Sequence, residues 1–136
     1  MMRNDAADNG FDPELLEELR DLAAGEDPGF LSELLASYLK EGRQRVQQLR
    51  EAVRQGDRRT LLTVSHALKG SSANVGASRL AKLSGGLETE LRKSLADGAG
   101  VDGSERWPAS VEQIAAEFER ASGMLGELLG VDSPGD

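Results

Sequence analysis

The sequence predicts an all-α protein: an up-and-down four-helix bundle with a short additional helix in front. Three observations carry that expectation. Apolar residues recur at spacings of three and four along most of the chain. No stretch of useful length alternates with the period of two that a half-buried strand requires. Glycine, proline and aspartate fall between the periodic segments, where helices stop and start. At 136 residues the chain fits one domain that can bury a core without staples.

The elements follow in order. Asp12-Pro13 is a helix start, a cap followed by proline at the first helical position. Leu15, Leu16, Leu19 and Leu22 give this first helix an apolar face, and Gly25 ends it. Asp27-Pro28 opens a longer second helix by the same logic. Its stripe is Leu31, Leu35, Tyr38, Leu39, Val46, Leu49 and Val53, and it runs to Gln55. Gly56 is a stop signal and Asp57 a cap for the third helix, which extends to about Val75 before Gly76 interrupts it. Leu80, Leu83, Leu87 and Leu91 mark a fourth helix, and Ala96 to Pro108 reads as a loop rich in Gly and Asp. The last helix carries Val111, Ile114, Ala115, Phe118, Ala121, Leu125, Leu128 and Leu129. Ser110 with Gln113 resembles a capping box for it, while Pro108 allows an earlier start. The domain is thus expected over 12–130, between a flexible N-terminus (1–11) and a flexible tail (131–136).

Composition narrows the function. The absence of cysteine removes disulfides and thiolate metal sites. No apolar run approaches the roughly 20 residues of a spanning helix, and Met1 to Asn9 is polar and acidic, unlike a signal peptide. A soluble, cytoplasmic protein with no membrane role is expected. The formal net charge of −8 argues against a general nucleic-acid binder, and few aromatics are present on which bases could stack.

The chain has one histidine. A multi-histidine zinc site and a paired-histidine haem site are therefore not available from this chain alone. On a wheel of about 100° per residue, Leu61, Val64, Leu68, Ser71 and Val75 of the third helix cluster on one side, with His66 nearly opposite. A packing histidine belongs within that stripe. An outward one is either a surface residue without a role or a reactive group. Lys69 and Gly70, three and four residues on, share its face. Glycine inside a helix costs about 1 kcal/mol relative to alanine. Here it clears space one turn from the imidazole, enough for a phosphoryl group on the ring, and Lys69 places a cation beside it.

The run His66-Ala67-Leu68-Lys69-Gly70-Ser71-Ser72-Ala73-Asn74-Val75-Gly76-Ala77 resembles the signature of the histidine-phosphotransfer (HPt) family: histidine, any residue, leucine, lysine, glycine, small residues and a further glycine. Gly56-Asp57 resembles that family's turn before the active helix. Leu80, Leu83, Leu87 and Glu88 resemble its next helix, so the likeness spans Leu15 to Leu129. Ser65 and Ala67 depart from it, standing where the family often has alanine and threonine or serine; neither carries the chemistry. The resemblance implies a relay module rather than an enzyme. His66 accepts a phosphoryl group from a receiver-domain aspartate or a kinase and passes it to another receiver. Its partners are response-regulator receiver domains and a sensor (hybrid) histidine kinase. The chain itself binds no cofactor or metal, and Mg²⁺ is expected on the partner receiver. The resemblance also places a polar side chain near Glu88 beside the second ring nitrogen, where a carboxylate accepting Nδ1–H would leave Nε2 as the nucleophile.

Asp57 to Lys82 holds Arg58, Arg59, Lys69, Arg79 and Lys82 against the single acid Asp57, a net charge of +4, so the remainder carries −12 of the total −8. A locally positive face suits an acidic receiver site. Arg59, Leu62, His66, Lys69 and Ala73 are the expected docking contacts. Two other readings are a non-phosphorylated bundle that binds receiver or kinase domains, and the phosphorylated domain of a chemotaxis-type kinase. No Gly-rich nucleotide loop accompanies the helices, so self-phosphorylation is not expected. The starting methionine and full set of helices point to a free-standing protein, and the resemblance implies a monomer, as family members of this kind usually are.

Overall fold

The computed structural model describes residues 9–25, 29–97 and 106–131. These form five helices in chain order: α1 (Pro13–Gly25), α2 (Phe30–Gln55), α3 (Arg58–Asn74), α4 (Ser78–Asp97) and α5 (Arg106–Leu129). No strand occurs among the described residues.

The local signals act as their chemistry dictates. Asp12 Oδ1 accepts from the backbone N–H groups of Glu14 and Leu15, at 3.2 and 3.3 Å, and opens α1. Gly56 adopts φ 66°, the left-handed region that glycine enters without penalty, and its reversal ends α2. Asp57 caps α3: one carboxylate oxygen accepts from Thr60 N–H at 3.1 Å and the other from the Thr60 hydroxyl at 2.7 Å. Gly76, at φ 82°, turns the chain from α3 into α4.

Packing follows the apolar stripes. α3 and α4 share the most extensive interface, α2 lies against α3 and α5, and α4 also meets α5. The short α1 leans on α5 and α2. Leu35, Leu49, Leu61, Leu68, Leu80, Leu91, Ile114, Phe118, Leu125 and Leu129 are fully buried where these faces meet. The Phe118 ring passes close over Gly42, where a Cβ would lie 2.3 Å from its Cε1 atom, so α2 and α5 approach closely only because position 42 has no side chain.

Several sequence expectations shift. Leu22, assigned to the apolar face of α1, is 58% exposed because α1 is tied down through Leu16 and Leu19. On α3 the serine buried beyond Leu68 is Ser72, whereas Ser71, expected in the stripe, is half-buried. The Tyr38 hydroxyl reaches across from α2 to the Ser72 hydroxyl at 2.9 Å. α5 begins at Arg106, ahead of Ser110. Pro108 falls in its first turn, where a missing N–H leaves no bond unmade. α4 extends to Asp97, two residues into the expected loop. The start of α2 at Asp27-Pro28, the core of the loop at 98–105, residues 1–8 and residues 132–136 lie outside the described residues. Phe11, placed by sequence in the flexible segment 1–11, is only 5% exposed. Asn9 to Asp12 is fixed there by Gly10 O, which accepts from Arg79 N–H at 2.9 Å, and by Asp12 N–H, which donates to Gly76 O at 2.8 Å.

Candidate functional site

His66 stands near the middle of α3 on the side away from the core, its side chain 61% exposed. The helix wheel places it there because Leu61, Val64, Ser65, Leu68 and Ser72 occupy the buried face. The ring is nevertheless not loose. Nδ1 lies 2.9 Å from Oε2 of Glu88, which reaches across from α4. Nε2 is left pointing away from this contact.

Glu88 is buried, its side chain 6% exposed, in the seam between α3 and α4. An ionised carboxylate there needs compensation. Lys69 Nζ of α3 sits 2.9 Å from Oε1. Arg92, one turn further along α4, donates to Oε2 from Nη2 at 2.7 Å and from Nε at 3.2 Å. Together the Lys69 ammonium, the Arg92 guanidinium and the His66 ring outweigh the cost of burial, and they hold the Glu88 carboxyl down to a pKa of about 2. The carboxylate is thus ionised throughout the physiological range and acts only as an acceptor.

Two glycines shape the surroundings. A Cβ at Gly70 would meet nothing within 4 Å, so the surface beside His66 is open. A Cβ at Gly85 would stand 3.0 Å from Cδ of Lys69, so the lysine stem lies across α4 in the space that glycine leaves. Beneath the site, Ser65 and Ser84 are fully buried, and the Ser65 hydroxyl donates to Leu62 O at 3.1 Å.

The residues singled out by sequence are therefore brought together. His66, Lys69 and Glu88 form one connected group, with Gly70 open beside it. Arg59 and Ala73 are exposed on the same helix, while Leu62 is half-buried and packs against the core. The positive face is weaker than the charge count implies. Lys69 is paired with Glu88, the Arg58 guanidinium donates to the Ser94 hydroxyl at 2.5 Å, and Arg79 turns toward Glu117 at 3.9 Å. Arg92 and Gly85 were missed. Arg92 was findable, because it stands four residues after Glu88 on one helix. Gly85 acts through a contact between helices that no local pattern reports. Among the described residues no group of three or more His, Cys, Asp or Glu side chains is placed to hold a metal ion. No helix among them is long and apolar enough to cross a membrane.

Comparison with known proteins adds to this geometry. The family model of the Hpt domain matches residues 33–123, from α2 into α5. Among solved structures, the chain is similar to histidine-containing phosphotransfer protein B (HptB) from Pseudomonas aeruginosa PAO1. The TM-score is 0.72 at 26% sequence identity, over 90% of this chain and 96% of that one. No curated protein matches the chain.

Proposed function

Because the chain belongs to the Hpt domain family, whose members carry out histidine phosphotransfer in phosphorelays, we propose that His66 is its phosphorylated residue and that Nε2 is the attacking atom. The observation that carries this reading is the split environment of the ring: Nδ1 is 2.9 Å from Glu88 Oε2, while the ring is otherwise exposed. With Nδ1–H donating to the carboxylate, the lone pair sits on Nε2, facing outward.

Each neighbour then has a task. Glu88 fixes the tautomer and the ring orientation. Lys69 supplies a cation beside the incoming phosphoryl group. Gly70 leaves the clearance. The donor and acceptor are receiver-domain aspartates, with a sensor or hybrid kinase upstream, and Mg²⁺ is held by the receiver's own carboxylates. The receiver covers Arg59, Leu62, His66, Lys69 and Ala73, and the exposure of Arg59 and Ala73 is compatible with that contact. The chain carries the phosphoryl group without a kinase activity of its own, as a cytoplasmic monomer whose functional unit is wider than the expected 12–130, because Phe11 and Val131 also pack on the core. The neighbour relations of α2, α3, α4 and α5 support an up-and-down four-helix arrangement with α1 appended.

The test is phosphoryl transfer from a phosphorylated receiver domain. The parent protein should gain an acid-labile, base-stable phosphate and His66→Gln should gain none. Equal labelling of the variant contradicts the assignment. An intact parent that binds the receiver but is never labelled would favour a non-phosphorylated adaptor.

A further inference from the structure

The Glu88 carboxylate meets the His66 ring at two different moments of a transfer cycle. Before phosphorylation it accepts Nδ1–H and leaves the Nε2 lone pair free. Once Nε2 is bonded to phosphorus, the ring has two forms. With a proton on Nδ1 it is a cation; without one, Nδ1 offers only a lone pair. At the 2.9 Å separation of the unphosphorylated site, a bare Nδ1 would face a carboxylate oxygen lone pair to lone pair. A protonated Nδ1 keeps its hydrogen bond and gains an opposite charge.

The carboxylate is not free to remove that proton itself. Lys69 from α3 holds Oε1 and Arg92 from α4 holds Oε2. Both are cations that favour ionised Glu88. From α2 and α5, the other helices packed against this pair, no ion pair to either side chain is found among the described residues.

We propose that Glu88 keeps the Nδ1 proton on His66 after phosphorylation, so that the ring remains an imidazolium while it carries the phosphoryl group. This rests on His66 being the phosphorylated residue. The balance is simple. In the inward step the Nε2 lone pair attacks phosphorus, the Nε2–P bond forms, and the P–O bond to the receiver aspartate breaks with its electron pair leaving on the carboxylate. In the outward step a receiver aspartate attacks phosphorus, the Nε2–P bond breaks, and its electron pair returns to the ring. Because Nδ1 already bears a proton, the departing group is neutral imidazole rather than its anion, and no proton moves in either direction. The buried acid thereby makes the phosphoryl group ready to leave, and transfer is insensitive to pH near neutrality.

The experiment uses the full chain, phosphorylated with phosphoramidate. The ring nitrogens are read by ¹⁵N NMR between about pH 6 and 9, which spans the range in which imidazoles titrate. In parallel, transfer to a receiver domain is timed over the same range. The parent should keep Nδ1 protonated at about pH 8 with a flat rate. Glu88→Gln should lose the proton at a pH lower by about one unit or more, since a facing carboxylate shifts a cation's titration by that order. Its outward transfer should fall roughly tenfold per unit above that point. Coincident titrations in the two proteins, or a bare Nδ1 in the phosphorylated parent at about pH 7, overturn the proposal. If Glu88→Gln does not fold, the parent's own ¹⁵N reading decides. A parent that forms phosphohistidine with a bare Nδ1 overturns only this inference. A parent that forms no phosphohistidine overturns it together with the assignment of His66.

Discussion

Two buried carboxylates, Glu88 and Glu117, divide the molecule between them. Both lie on helices and both are nearly closed to solvent, with side chains 6% and 8% exposed. Both hold an arginine within a turn of their own helix: Arg92 for Glu88, Arg120 for Glu117. They differ in what else they meet. Glu117 receives Arg120 Nε at 2.9 Å and a second guanidinium, Arg79, at 3.9 Å. The Arg120 head group lies over the Phe11 ring, 5.6 Å from its centre. That cluster joins α5 to the start of α4 and to the segment before α1, and arginine does not titrate there. Glu88 instead shares its two oxygens among a lysine, an arginine and a titratable imidazole, in a seam that opens onto an uncluttered surface. The same buried acid acts as a clamp when its partners are permanently charged. It becomes part of a reactive site when one partner is a nucleophile.

Substitutions should separate the two roles. The largest effect expected is from Gly70→Leu. No neighbour lies within 4 Å to clash, and leucine is the better helix former, so helix content should hold or rise. Transfer from a receiver should nonetheless fall by about a hundredfold or more, because the side chain fills the approach to Nε2; about 2.7 kcal/mol on the barrier suffices. Transfer at the parental rate would remove the clearance argument.

Next in size, Glu117→Gln should lower unfolding free energy by about 1–3 kcal/mol. That is below the 3–5 typical of a fully buried broken pair, since Arg120 and Arg79 can reach water. Its phosphotransfer rate should match the parent. Slowed transfer in a folded Glu117→Gln protein would show that Glu117 also serves the transfer site. Lys69→Ala should slow transfer by about tenfold without abolishing it, equivalent to about 1.4 kcal/mol.

Acid titration gives a further contrast. The folded pKa of Glu88, about 2, is depressed below its ordinary value of 4.5. Its stabilising contribution is therefore complete above the unfolded value and is lost as pH falls from there toward about 2. Denaturant midpoints of the parent should drop across that window, and those of Glu88→Gln should drop less. The smallest effect is expected from Leu62→Ala. It should weaken receiver binding several-fold, with a stability loss of about 1 kcal/mol, since Leu62 is half-buried and not only a surface contact. Binding isotherms at matched salt measure it; unchanged affinity would take Leu62 out of the docking surface.

How legible this was in the sequence depends on the range of the interaction. Gly56 and Asp57 announce the end of α2 and the start of α3 because both act within four residues. The outward position of His66 follows from helix periodicity for the same reason. Ser71 and Ser72, three and four residues after Leu68, both fit the periodicity of the stripe; Tyr38, far away in the chain, selects Ser72. Phe11 belongs to no periodic stripe, so its burial under Arg120 had no local signature. At the site, Glu88 came from resemblance and Arg92 lay within reach of an i,i+4 rule. The lodging of Lys69 over Gly85 depends on how α3 and α4 are placed, which only the fold supplies.

The measurement that bears most directly on the central claim is a ³¹P–¹⁵N NMR correlation on the uniformly ¹⁵N-labelled, phosphorylated chain. Phosphorus coupled to Nε2 of His66, with Nδ1 carrying a proton hydrogen-bonded to Glu88, is the predicted result. Phosphorus on Nδ1, or on any residue other than His66, would contradict the account.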